Sequence, residues 1–169
     1  MRETFSEEMK NYLPPQNIDA EESILGGILL DPEALDRIIH IIKVDAFYVQ
    51  AHRHIYQGAI ELNSKGQPTD LMTVTTWLAD RGLLDKIGGT ATLVRLASRT
   101  VSAVNIDRYA ELVMDKYQRR QLISSGHEII DFAHDTATEL DEVLDKSQKK
   151  IFEITQGTNQ NIEHNSDIS

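Results

Sequence analysis

Apolar residues recur along this chain at the three- and four-residue spacing of amphipathic helices. Ile24, Leu25, Ile28 and Leu29 show this spacing after a polar, acidic stretch, which predicts a helix over residues 18–30. The same spacing returns in six later segments. We therefore predict an all-α protein that consists of a compact head of short helices followed by a long antiparallel helical hairpin.

The start of the first helix carries strong local signals. Pro14 and Pro15 favour an extended entry, because each lacks a backbone N–H and disfavours helix before it. Asn17 or Asp19 can cap the helix, and Asp19 with Glu22 has the spacing of a capping box. The chain is thus expected to enter this helix from an extended segment.

Two adjacent glycines, Gly26 and Gly27, lie inside this helix. Each costs about 1 kcal/mol relative to alanine in a helix interior. A reason to tolerate them is the close approach of another helix, which we expect at this point.

The head, residues 13–100, contains four more predicted helices. Asp31 and Pro32 form a second start signal, with the proline at the first helical position. Gly66 stands where a left-handed C-cap is wanted, and Asp70 can cap the next helix. Helices are predicted over 32–42, 50–64, 71–81 and 90–98, and Val74, Trp77 and Leu78 are expected to face the core.

The second part, residues 104–156, has a different character. One amphipathic stretch runs from 105 or 106 to about 133, and another from 138 to about 155, where Thr138 and Asp141 have capping-box spacing. Two long helices joined by a short turn form a helical hairpin. A hairpin of this length cannot bury both apolar stripes on itself, and the exposed remainder indicates an interface. Residues 1–12 are interpreted as a flexible arm and 157–169 as a linker.

The predicted interface is a set of apolar, aromatic and basic residues on the two long helices. Basic residues cluster on both helices, where they either form ordinary solvated faces or steer an acidic partner. Apolar and aromatic anchors carry interface energy. Part of the surface is expected to dock a second copy and part another protein, with the two faces not assigned. The residues are Tyr109, Leu112, Val113, Lys116, Tyr117, Arg119, Arg120, Ile123, Ile129, Ile130, Leu140, Leu144 and Ile151.

No catalytic, metal or cofactor site is predicted. His52 and His54 are two residues apart, so on a helix they point away from each other and cannot share a metal; they are interpreted as exposed or hydrogen-bonded. Paired carboxylates such as Glu21 and Glu22 are interpreted as cap and dipole chemistry. There is no cysteine and no apolar run long enough to span a membrane. The net charge of −10 fits a protein-binding module better than a nucleic-acid-binding surface.

The order and spacing of short motifs resemble the N-terminal domain of replicative DNA helicases of the DnaB type. The resemblance begins at the Leu13–Asp31 segment and covers residues 13 to 156. Val101 departs from it, because a proline is expected there. The further motifs are Phe47-Tyr48, His52 to Tyr56, Gly66-x-Pro68-x-Asp70, Thr73-Val74, Leu78, Gly82-x-Leu84, Gly88-Gly89, Ser102 to Asn105, Tyr109-Ala110, Arg119-Arg120 and Leu122-Ile123.

This resemblance implies a two-part helicase in which a helical N-terminal domain precedes a RecA-type motor. The motor's phosphate loop requires a Gly-Lys pair, and no such pair occurs in this sequence. We therefore expect an N-terminal domain without its motor, with no enzymatic activity of its own. ATP and Mg²⁺, and the 5'–3' DNA helicase activity, belong to the motor of the full-length protein.

The resemblance also implies partners and a location. Six such domains form a collar, commonly a trimer of dimers, and the isolated domain is expected to reach a state between dimer and hexamer. The collar docks primase and, in some lineages, a helicase loader. It meets single-stranded DNA only as part of the full-length ring. A cytoplasmic location is implied, at a bacterial-type replisome or in a plastid, and no membrane association.

Two other classes of function stay open from the sequence. One is a stand-alone helical nucleic-acid-binding domain, which the acidic charge disfavours. The other is a small enzyme, which the lack of cysteine, of a phosphate loop and of a metal cluster disfavours.

Overall fold

Residues 12–166 form seven α-helices and two short 3₁₀ turns, and this part of the chain contains no strand. The computed structural model describes the backbone of these residues and the side chains of residues 12–157. The predicted arm at 1–12 therefore lies almost wholly outside the described residues. The helices are α1 Ile18–Leu30, α2 Ala34–Ile38, α3 Gln50–Ser64, α4 Leu71–Asp80, α5 Thr90–Arg99, α6 Ile106–His134 and α7 Leu140–Ser166, with 3₁₀ turns at Val44–Ala46 and Asp85–Ile87. The all-α prediction is confirmed.

Helix α1 is the centre of the head. Ile24, Leu25 and Ile28 are fully or almost fully buried, and the helix packs against α5 and α6. The glycine pair lies at these contacts. A Cβ at Gly26 would collide with the Leu96 carbonyl oxygen and the Thr100 side chain, and one at Gly27 would lie 3.3 Å from the Ala103 Cβ. The expected close approach of another helix is thus confirmed.

The start of α1 resolves the choice between two caps. The Asn17 side chain accepts a hydrogen bond of 3.0 Å from the Ala20 N–H. The predicted capping box of Asp19 and Glu22 is wrong, because both carboxylates bind arginines of α5. Glu22 pairs with Arg95 and Arg99, and Asp19 pairs with Arg99.

Helix α2 is much shorter than the predicted 32–42. It runs only from Ala34 to Ile38, and Pro32 precedes it instead of occupying its first position. After Ile38 the chain forms a turn in which the N–H groups of Ile41 and Ile42 both donate to the Ile38 carbonyl. The carbonyl of buried Ile42 accepts a hydrogen bond of 2.8 Å from the Tyr56 hydroxyl of α3.

The other predictions for the head agree with the structure. Gly66 has φ 69°, a left-handed conformation, and the Asp70 carboxylate accepts a hydrogen bond of 2.8 Å from the Thr73 N–H. Hydrogen bonding to the side chain of Thr73, and then to its N–H, holds the pKa of Asp70 below its usual range. Val74, Trp77 and Leu78 are buried as expected, in a core that includes residues of every head helix.

The long hairpin is present, and its second helix is longer than expected. Helix α7 continues to Ser166, through most of the segment interpreted as a linker. Gly157 is not among the described glycines with positive φ, so it does not end the helix. Thr138 does not form the predicted capping box, because α7 begins only at Leu140. The Thr138 hydroxyl instead donates to the Asp135 carboxylate at 2.7 Å.

Candidate functional site

The first three turns of α6 belong to the head. Ile106, Ala110 and Val113 are buried in the head core, and Tyr109 and Tyr117 pack partly against it. Val113 is only 1% exposed, so its assignment to an interface is wrong. Apolar periodicity alone could not separate the part of this stripe that is covered by the head from the part that is not.

Beyond the head, the hairpin exposes a continuous apolar face. Residues three, four or seven apart lie on one side of a helix, which groups the residues of this face on α6 and on α7. Leu140 is 68% and Leu144 52% exposed. We call this surface the front face; it comprises Leu122, Gly126, Ile129, Ile130 and Ala133 of α6 with Leu140, Leu144 and Ile151 of α7.

A groove joins the two halves of the front face near the hairpin turn. It has a volume of about 570 Å³ and is lined mainly by small and apolar side chains. Ile129 and Ala133 form one wall, and Leu140, Val143 and Leu144 form the other. The exposed apolar residues of the hairpin are therefore not scattered, which is the arrangement expected of an interaction surface.

Gly126 lies in the middle of the α6 part of this face. A Cβ added there would meet no described atom within 4 Å. Packing within the subunit thus gives no reason for a residue that costs about 1 kcal/mol relative to alanine in a helix. A reason outside the subunit is the close approach of another helix, as Gly26 shows inside the head.

Leu122 and Phe152 were missed from the sequence as interface candidates. They are 50% and 60% exposed. The helical spacing of Leu122 to Gly126 and Ile130 could have placed Leu122 on the front face. Phe152 follows Ile151, so it points to another side of α7 and does not belong to that face.

Three ion pairs form within the described part of the hairpin. Arg119 contacts Asp115 at 2.9 Å, Lys146 contacts Glu142 at 3.5 Å, and Lys150 contacts Glu128 on the opposite helix at 3.1 Å. Such exposed pairs contribute typically less than about 1 kcal/mol. They cancel much of the positive charge of the two predicted basic clusters, so steering of an acidic partner receives little support.

Arg120, which the sequence analysis places in the interface, contacts the head of its own subunit. Its guanidinium donates hydrogen bonds of 2.7 Å to the Pro15 carbonyl and 2.8 Å to the Ala46 carbonyl, both in the head. Partial burial lowers the pKa of Arg120, and the negative charge of Glu21 opposes this. The guanidinium is therefore directed towards the head of its own subunit.

The two histidines of α3 do not form a metal site. His52 is buried, and its Nδ1 lies 2.9 Å from a carboxylate oxygen of Glu21, which confirms the hydrogen-bonded interpretation. Across the described residues there is no group of three or more histidine, cysteine or acidic residues that could hold a metal ion. In the same part of the chain, no helix has the length and apolar character needed to cross a membrane.

Comparison with known proteins identifies the class of this fold. The model of the DnaB-like helicase N-terminal domain family matches residues 13–115. The chain is similar to the replicative DNA helicase DnaB of Synechocystis sp., with 58% identity over 144 residues, and of Nostoc sp., with 55% over 153. It also resembles the replicative DNA helicase DnaC of Bacillus subtilis, with 36% identity over 151 residues.

These relatives are much longer than the matched region. The match covers 85% of this chain but 16% of the Synechocystis protein, 90% but 17% of the Nostoc protein, and 89% but 33% of the Bacillus protein. The similarity therefore concerns one domain of each relative.

Solved structures agree with this class. The crystal structure of the N-terminal domain of DnaB helicase from Mycobacterium tuberculosis has a TM-score of 0.79 and 34% identity, covering 83% of this chain and 99% of that one. A DnaB-like replicative helicase, described with its interactions with primase, has the same fold with a TM-score of 0.70, 24% identity and coverage of 83% of this chain and 31% of that one. The chain belongs to the DnaB-like helicase N-terminal domain family.

Proposed function

We propose that this chain is the assembly and protein-docking domain of a hexameric replicative DNA helicase. The observation that carries the proposal is the front face of the hairpin, a joined apolar surface on a domain whose head already has a complete core. Burial of apolar surface is the main favourable term in protein association, at roughly 25 cal/mol per Å². A second copy of the hairpin can cover this surface by packing its own front face against it.

Gly126 supports a helical occupant. An open glycine at the middle of the face allows two helix backbones to approach more closely than larger side chains permit. Leu122 and Ile130, one turn away on either side, then pack around the point of closest approach. The occupant's own hairpin offers the same arrangement, so the contact is self-complementary, as two-fold packing requires.

The hairpins are proposed to form dimers, and contacts between heads to link the dimers into a hexameric collar. Primase, and in some lineages a helicase loader, dock on the assembled collar. Several weak contacts around a ring increase total affinity without new contacts, because later binding steps are effectively intramolecular. A relative of this fold has been solved with its interactions with primase described, which supports primase as a partner.

The enzymatic step is proposed to belong to another domain. The sequence has no phosphate loop, so ATP and Mg²⁺ are assigned to the motor of the full-length protein, as is 5'–3' unwinding. Single-stranded DNA is assigned to the channel of the complete ring. We propose a cytoplasmic, replisome-bound location for that protein.

The mass of the chain in solution tests self-association. Sedimentation equilibrium over a wide range of concentrations should give masses that rise from one subunit to two or more. Ile130→Asp with Leu144→Asp should keep the protein monomeric, because two carboxylates would be buried in an apolar contact. Met72→Asp is the matched control, since Met72 is an exposed apolar residue of the head.

The proposal fails if the wild-type chain stays a monomer at every concentration, or if the control variant dissociates as the double variant does. Circular dichroism should show that all three proteins keep their helical content. Titration with the primase of the same replication system then tests docking separately from self-association.

A further inference from the structure

The loop between the first 3₁₀ turn and α3, residues 46–49, is held by a carboxylate from another helix. The backbone N–H groups of Tyr48 and Val49 donate to the Glu21 carboxylate at 3.0 and 3.3 Å. Glu21 is 1% exposed. Within the described residues, α3 has no side-chain cap from its own N-cap residue. Glu21 therefore satisfies from α1 the N–H groups of the two residues that precede α3.

The carbonyl groups of the same loop are held by two arginines. Arg53 of α3 donates to the Phe47 carbonyl at 2.7 Å and to the Tyr48 carbonyl at 3.0 Å. Arg120 of α6 donates to the Ala46 carbonyl at 2.8 Å. Side chains of α1, α3 and α6 thus bind the backbone donors and acceptors of this loop. The loop is therefore held in one conformation, and a side chain that binds it is anchored to the head.

Arg120 connects this loop to the hairpin. Its second bond, of 2.7 Å, goes to the Pro15 carbonyl before α1, and its guanidinium lies 5.4 Å from the Tyr48 ring and 5.8 Å from the Tyr117 ring. A planar guanidinium can bind two carbonyls and stack at once, which an ammonium group cannot.

Arg120 lies at the boundary between the part of α6 that packs on the head and the part that packs on α7. Tyr117, one turn earlier, is the last α6 residue that packs against the head core. From Gln121 onward α6 lies beside α7, where Gln121, Ser124 and Ser125 face Lys150, Glu153 and Ile154 across a shallow groove. Arg120 thus lies where α6 leaves the head and the two-helix part begins.

We propose that Arg120 is a positioning residue that fixes the angle between the hairpin and the head. Without its two bonds, the contacts that remain between α6 and the head are the bonds of Arg37 at the start of α6 and the apolar contacts that end at Tyr117. The hairpin beyond Tyr117 then tilts over a range of angles. The consequence for a collar, that front faces would no longer be presented in one direction, rests on the proposed function. The proposal that Arg120 fixes the angle does not depend on that function.

A distance measurement within one subunit tests this proposal. The chain has no cysteine, so Lys86→Cys in the head and Ala137→Cys at the hairpin turn provide two unique, exposed positions for nitroxide labels. Double electron–electron resonance should give one narrow distance distribution. The sample is diluted with unlabelled protein, which removes distances between subunits.

The same labelled pair with Arg120→Ala should give a broader and shifted distribution. From Arg120 to His134 the helix rises roughly 21 Å at 1.5 Å per residue. A tilt of about 10° over that length moves the turn by roughly 4 Å. Arg120→Lys should give an intermediate width, because one ammonium group can replace only part of the two-carbonyl contact.

Arg119→Ala is the matched control. Arg119 is adjacent, equally charged and pairs only with Asp115 on its own helix in the described contacts, so its removal should leave the distribution unchanged. A wild-type distribution for folded Arg120→Ala, or equal broadening in Arg119→Ala, would overturn the proposal. If Arg120→Ala does not fold, Arg120→Lys decides: added width supports the proposal and wild-type width refutes it. Neither result depends on whether the chain self-associates.

Discussion

The head and the hairpin use the same kinds of residue in opposite ways. In the head, most leucine and isoleucine side chains are buried or partly buried, and Glu21, Glu22 and His52 are buried with hydrogen-bonding partners. In the distal hairpin, leucine and isoleucine are half exposed and the charged residues pair at the surface. The head is complete as a folding unit, whereas the hairpin has an apolar surface that is covered only if another molecule binds it.

Shortening one leucine in each region should give the largest difference. Leu25→Ala in the head core is expected to lower the free energy of unfolding by about 2–5 kcal/mol, because it leaves a cavity. Leu144→Ala on the front face should change it by about 0.5 kcal/mol or less in the monomer. Urea unfolding of dilute protein, followed by circular dichroism, measures both. Similar losses at the two sites would contradict the comparison.

Replacing a glycine by alanine is expected to change the free energy of unfolding in opposite directions in the two regions. Gly26→Ala should destabilise the chain by about 1–3 kcal/mol, because its Cβ would overlap the Leu96 carbonyl. Gly126→Ala should stabilise the monomer by up to about 1 kcal/mol, because its Cβ meets no described atom and alanine favours helix.

If Gly126 allows a second helix to approach, the same alanine should weaken self-association. Thermal unfolding at low concentration gives the first effect and sedimentation equilibrium gives the second. An alanine variant that is more stable and associates as well as the wild type would remove Gly126 from the proposed contact.

Removal of a head cap should have a medium effect that depends on pH. Asp70→Ala should cost about 1 kcal/mol near neutral pH, because the Thr73 N–H loses its acceptor. Hydrogen bonding holds the pKa of Asp70 below its usual value. This contribution is therefore complete above the usual aspartate range and disappears as pH falls through the lower folded-state pKa. The free energies of unfolding of the wild type and the variant should converge as pH is lowered from neutral to acid. A difference that stays constant over this range would contradict the prediction.

The smallest effect is expected from a hairpin ion pair. Arg119→Ala removes an exposed contact with Asp115 one helical turn away, and such pairs contribute roughly 0.3–0.5 kcal/mol. The loss should shrink further in high salt. Urea unfolding at two salt concentrations measures it, and a loss above about 1 kcal/mol would show that the distal hairpin is stabilised by its charges after all.

The parts of this structure that could be predicted depend on local signals. Apolar spacing, caps and turn glycines predicted the starts of all seven described helices to within two residues, and the Gly26-Gly27 pair predicted close packing. The predicted length of helix α2 was wrong because the contacts of Ile42 involve residues of another helix, such as Tyr56. The predicted length of α7 was wrong because the polar stretch after residue 156, with one glycine, contains no clear signal that ends a helix.

The candidate site was predicted only in part for a similar reason. Exposure of Leu140, Leu144 and Ile151 follows from the length of the hairpin. The buried position of Val113 and the inward turn of Arg120 follow from where the head ends along α6, and no local pattern records that. The bond from the Tyr48 N–H to Glu21 joins residues 27 positions apart, and the sequence around Glu21 resembles an ordinary acidic first turn.

Hydrogen–deuterium exchange at two protein concentrations tests the central claim most directly, because it reports on each segment separately. If the front face is covered by a second copy, exchange should slow at high concentration along 122–133 and 140–151, while α1 and α3 keep their rates. Unchanged exchange in the hairpin of a protein whose mass has increased, or slowing confined to the head, would show that the front face is not the surface through which these domains associate.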